Sequence, residues 1–119
     1  MERTLGLGFA ALFLAIGGGA VVAPRFSAGQ YGLPSENATA LAFVRATGVR
    51  DALLGGLILS SLGDRAGLRR ILAWSSLVGL ADASIVFARR GPQIQHAVHL
   101  GGFAALALAA LALRDEPAR

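Results

Sequence analysis

"LAFVRATGVRDALLGGLILSSL", residues 41–62, is the stretch on which the fold turns. It has the length of a membrane-crossing helix, yet it carries Arg45, Arg50 and Asp51. Read as a span, it is the second of four apolar blocks, at about 5–23, 41–62, 71–88 and 94–113. Each is close to the ~20 residues a helix needs to cross a ~30 Å hydrocarbon core. The expected fold is all-α, an integral membrane antiparallel four-helix bundle, with one domain over 1–119.

The composition agrees. Hydrophobic residues make up 55% of the 119 residues and charged residues only 15%, against roughly 25% charged in an average soluble domain. The mean hydropathy is +0.61. There is no cysteine, which excludes disulfides, thiol redox chemistry and Cys-based metal sites. All eleven basic residues are Arg, and with the excess of Ala, Leu and Gly this points to a GC-rich bacterial genome. The net charge of +4 does not indicate nucleic acid, because no basic run is interleaved with aromatics. Most arginines fall in the short connections, where membrane topology accounts for them.

The opening "MERTLGLGFAALFLAIGGGAVVAPRF" reads as a first span and not as a cleaved signal peptide. Glu2 offsets Arg3, and Pro24 suits a cleavage point poorly. Pro24 ends the span, since proline cannot continue the hydrogen-bond ladder. The segment "RFSAGQYGLPSENAT" (25–39) reads as an interfacial loop, with Tyr31 at a headgroup boundary and Ser35 capping the second helix. "GDRAGLRR" (63–70) and "RRGP" (89–92) read as tight basic turns, with Pro92 in the first turn of the fourth helix. With both termini cytoplasmic, that side holds Arg3, Arg65, Arg69, Arg70, Arg114 and Arg119, and the opposite side only Arg25, Arg89 and Arg90. The positive-inside rule therefore places a multi-pass chain in the inner (plasma) membrane with both termini inside.

Small residues recur at every fourth position in each span: Ala11, Ala15, Gly19 and Ala23; Gly48, Ala52, Gly56 and Ser60; Ser75, Gly79 and Ala83; Ala97, Gly101, Ala105 and Ala109. Such stripes let helix backbones approach closely in lipid, within one chain or in a homo-oligomer.

Counting from the turns places the polar residues in depth. Arg50 lies twelve residues before Leu62, and Asp82 twelve after Arg70. Antiparallel helices leaving one turn then hold both residues ~18 Å from it, at 1.5 Å per residue. By the same counting, Asp82 is seven residues before Arg89 and His99 seven after Pro92. Arg50, Asp51, Asp82 and His99 thus share one layer, with "GGG" (17–19) of the first span beside it. A charge at mid-bilayer costs about 2.5–3.5 kcal/mol on insertion scales, so these groups must meet one another or water.

An Arg50–Asp82 bridge is the cheapest arrangement, and it can be a structural ion pair that sets helix register. The surplus of Asp51 and two histidines argues instead for a site. In that reading Asp82 or Asp51 is the acid or base, His99 relays the proton, and Arg50, Thr47, His96 and Gly18 line the binding space. His96 also has the simpler reading of an interface residue, and Arg45 that of a snorkelling one. His96-x-x-His99 with Asp82 has metal-ligand spacing, but a positive Arg50 in the same layer disfavours a dication. No metal and no cofactor is expected. Nor is there a phosphate loop, nucleophile elbow or zinc-protease motif. The expected partners are the lipid bilayer and a small hydrophobic ligand. The rival class is a non-enzymatic membrane component, either a proton or small-solute carrier or a structural subunit.

"ATGVRDALLGGLILSSL" (46–62), the "GDRAGLRR" turn and "LVGLADASIVF" (77–87) resemble the small four-span membrane proteins of domain-of-unknown-function family 4267, found in bacteria and fungi. The family's Gly-x-Arg-Asp element falls on Gly48, Arg50 and Asp51, and its third-span aspartate on Asp82. The resemblance covers most of the chain and implies a shared fold and site, with no established activity.

Overall fold

The computed structural model describes residues 1–114. Arg119, counted above for topology, lies outside the described residues. Five helices follow one another: α1 (Glu2–Val22), α2 (Pro24–Tyr31), α3 (Ala38–Ser60), α4 (Arg65–Arg90) and α5 (Ile94–Ala112). There is no strand among the described residues. The molecule is an all-α helical bundle.

The helix ends follow from local chemistry. Pro24 has no N–H to extend α1, yet its fixed φ suits the first position of a new helix, so it opens α2. Gly32, in the left-handed region at φ 103°, closes α2, and its N–H bonds to the Ala28 and Gly29 carbonyls. The 25–39 segment is therefore not wholly a loop. Its N-terminal half is helical, framed by a starting proline and a stopping glycine. Asn37, not Ser35, caps α3, its side chain accepting from the Ala40 N–H at 3.0 Å. Ser35 accepts from the Asn37 N–H one step earlier. The helix α4 begins at Arg65, so most of the basic "turn" is its first two turns, with Leu68 and Leu72 buried and Arg69 and Arg70 outward. Arginine is a good helix former, and Asp64 before it complements the helix dipole. Pro92 stands just outside α5, whose N-cap is Gln93.

Three helices, α1, α4 and α5, are long and apolar enough to cross a membrane. The 23-residue α3 does not qualify by composition, because Arg45, Arg50 and Asp51 all lie within it. Large apolar side chains such as Phe43, Trp74, Ile94 and Leu108 point outward, as expected of a membrane protein whose solvent is lipid.

The helices associate in two pairs. α1 lies along α3 and α4 along α5, whereas the pairs meet each other sparsely. The α1–α3 crossing is backbone against backbone: a Cβ at Gly17 would come 2.5 Å from the Gly48 carbonyl oxygen. Gly79 gives α4 a similar approach to α5, at the His99 oxygen and Phe103 nitrogen. At one end the pairs are joined by a core that includes Ala10, Ile58, Leu68, Leu72, Leu106 and Leu113. Glu2 and Arg65 bridge the same end at 2.6 Å. At the other end α2 leans across, placing Gly32 against Val86 and Gln95.

The small-residue stripes are only partly the contact faces. Gly48, Ser75 and Ala83 are buried as expected, but Ala11, Ala15, Gly19 and Ala23 of α1 are exposed. So are Gly56, Ser60, Ala97, Gly101 and Ala105. In α1 the packed face is instead Gly6, Ala10, Gly17 and Ala20. Where about half of the residues are Ala, Gly or Leu, more than one face satisfies a four-residue small spacing, and the spacing alone cannot choose between them.

Candidate functional site

Between the core at one end and α2 at the other, the two pairs flank an open cavity of about 1260 Å³. Its walls are mostly apolar, with Phe9, Phe13, Phe43, Val78 and Leu106 among them. Polar residues interrupt them, among them Thr47, Arg50 and Asp51 from α3, Ser75 and Asp82 from α4, Gln95 and His99 from α5, and Tyr31 from α2.

Arg50 organises the group. Its two terminal nitrogens donate to the two oxygens of Asp82, at 3.2 and 3.0 Å, in a bidentate fork across α3 and α4. Its Nε donates to Asp51 Oδ1 at 2.9 Å, and Nη2 lies 2.8 Å from the same oxygen. Both carboxylates are buried, whereas the Arg50 side chain is 38% exposed and lines the cavity. Matching depths by counting from the turns therefore brings the right residues together. The reason is geometric: two helices that leave one short turn keep register at equal residue counts.

The histidines take other partners. His99 donates from Nε2 to the Tyr31 carbonyl at 2.8 Å, and its ring meets the Tyr31 ring edge-on at 4.6 Å. Its Nδ1 has no partner among the described residues. His96 donates from Nδ1 to the Ala83 carbonyl at 3.0 Å and leans on Phe87, outside the cavity lining. Thr47 lines the cavity but donates to its own helix, at the Phe43 carbonyl. Gly18 lies on the outer face of α1 with no atom near its Cβ position, so it contributes nothing to the cavity. One residue away in either direction the surroundings change. Gly17 is buried in the α1–α3 crossing, and Gly19 lines the cavity. Arg45, expected to snorkel, donates to the Val21 carbonyl at 3.2 Å, an acceptor near the α1 terminus where the helix ladder stops.

Two contributors are invisible to a reading by spans. Tyr31 was expected at the headgroups, but α2 turns it inward. Burial, and then the negative charge of Asp82 to which its hydroxyl bonds, hold its phenol above the ordinary value. The signal for α2 was present as Pro24 and Gly32, eight residues apart. Ser75 is the second. It is 1% exposed, and its hydroxyl has no hydrogen-bond partner among the described residues. Among the described residues no three His, Cys, Asp or Glu side chains cluster as a metal site.

A family model described as "Domain of unknown function (DUF4267)" matches residues 10–113. No curated protein and no solved structure matches the chain.

Proposed function

The chain belongs to the DUF4267 family, and we propose that this member is a single-domain membrane protein whose cavity binds a small lipid-soluble molecule. All four long helices, α3 included, cross the inner membrane, with both termini on the cytoplasmic side. What supports a crossing α3 is the mutual neutralisation of its charges: Arg50 is met by Asp51 and Asp82, so the three need not face lipid.

The observation that carries the reading is the cavity itself. Ligand sites are clefts of roughly 300–1,000 Å³ with apolar walls and a few convergent polar groups, and this one is somewhat larger with that character. Within it, Asp82 or Asp51 acts as the acid or base and His99 relays the proton through its unpartnered Nδ1. Arg50 orients a ligand oxygen through an N–H not engaged by the two carboxylates. This is acid–base chemistry of the isomerisation, cyclisation or hydration kind.

The test is to purify the protein in mild detergent and identify co-purifying small molecules by mass spectrometry, for the wild type and Asp82→Asn. The reading expects a stoichiometric apolar compound in the wild type that the folded variant loses. Retention of the compound by Asp82→Asn, or none in either protein, counts against it.

A second reading is favoured by one specific observation. The Arg50–Asp82 fork spans helix pairs that otherwise touch little along their length, as a structural strut would. There the protein is a non-enzymatic carrier or subunit, and the outward small-residue faces of α1 and α5 meet a second copy.

A further inference from the structure

The hydrogen-bond inventory of the cavity restricts the ligand further. Resting on the reading of the cavity as a binding site, we propose that it takes an elongated amphiphile whose polar head is an amine. Arg50 makes three hydrogen bonds to Asp82 and Asp51, and its Nη2 also lies in ion-pair contact with Asp51. Arg50 is the one guanidinium among the described residues of the lining, and both carboxylates already face it, so no free cation remains for an anionic head. Acceptors are in surplus. Asp51 Oδ2 and His99 Nδ1 have no partner among the described residues, and both residues line the cavity.

Charge counting leads to the same head. One guanidinium faces two carboxylates, so their formal charges leave one negative charge unmatched in a mostly apolar open cavity. An ammonium supplies the missing charge and up to three donors. The elongated body follows from the shape of the space. The polar groups sit toward the α2 end, and the apolar walls run on to Phe9 and Leu106 by the core.

Ser75, in the wall of the same space, carries a hydroxyl shut off from it and unpaired among the described residues. Serines within helices commonly bond back to a carbonyl three or four residues earlier. Ser60, Ser61, Ser76 and Ser84 all do so here. Ser75, buried and in the cavity wall, does not. It lies on the Asp82 face of α4, about 10 Å farther along at seven residues' spacing.

Native mass spectrometry of the full chain in a neutral detergent tests this with hexadecylamine, hexadecanol and hexadecanoic acid, which share one chain length. The amine should bind the wild type about tenfold or more tighter than the alcohol, the scale of a hydrogen bond to a charged group. The acid should bind weakest. Asp51→Asn should bring the amine down to the level of the alcohol, and Asp51→Glu should restore the preference. If the alcohol or the acid binds the wild type as tightly as the amine, the amine head is overturned and the cavity reading survives. If none of the three binds, both fall together.

Discussion

Arg50 and Asp82 meet end-on across α3 and α4, with both carboxylate oxygens of Asp82 held by the terminal nitrogens of Arg50. Removing one member of such a buried pair leaves the other uncompensated, which typically costs about 3–5 kcal/mol. Arg50→Met alone should therefore unfold in detergent at a markedly lower temperature than wild type. The double variant Arg50→Met with Asp82→Leu should recover most of that loss, since a well-packed apolar pair often matches a buried ion pair. Circular dichroism melts of the three proteins decide the point. No recovery in the double variant would show that the pair does more than neutralise charge.

The α1–α3 crossing predicts a sharp contrast between neighbouring glycines. A side chain at Gly48 would strike the Gly17 oxygen, at 2.6 Å from its Cβ, and the Ala20 methyl. Gly48→Val should destabilise by about 1–3 kcal/mol or more, the usual cost of overpacking. Gly18→Val, on the open face, should leave the melting temperature nearly unchanged. Equal effects at the two positions would contradict the crossing.

Ser75 yields a prediction of sign. A buried polar group without a partner costs about 1–3 kcal/mol, so Ser75→Ala should hold or raise the stability of the ligand-free protein. A clear loss on thermal unfolding would mean that the hydroxyl has a structural partner.

The proposed topology is tested by labelling, and the chain suits it because it contains no native cysteine. Gly63→Cys, in the turn between α3 and α4, should be protected from an impermeant maleimide in intact cells. Pro92→Cys, exposed between α4 and α5, should react. The reverse pattern would invert the orientation.

Much of this molecule was legible because the informative residues are rare. In so apolar a chain each charge stands out, and helical rise converts residue counts into depth, so Arg50 and Asp82 were matched from opposite sides of one turn. What stayed hidden depended on azimuth or on short-range folding. Gly17, Gly18 and Gly19 differ only by rotation about α1, and the three take different environments. His99 was placed at the right level, but its partner became Tyr31 because α2 folds back over the cavity. That eight-residue helix has too little apolar length to register as an element, so its proline and glycine read as loop punctuation.

The contact between Arg50 Nε and Asp51 bears on how the chain is made. Translation releases α3 before α4, so Arg50 leaves the ribosome ahead of the aspartate it finally grips. Its sequence neighbour is a provisional counter-charge, already present when the helix first partitions into the bilayer. In a glycosylation-reporter assay on a chain truncated after α3, Asp51→Asn should therefore lower the inserted fraction. The same substitution should matter less once α4 is included. Undiminished insertion of the truncated variant would argue against an escort role. With insertion lowered as expected, Asp51 is one carboxylate serving two periods in the life of the protein, as a companion for Arg50 during synthesis and as an open acceptor once the bundle is complete.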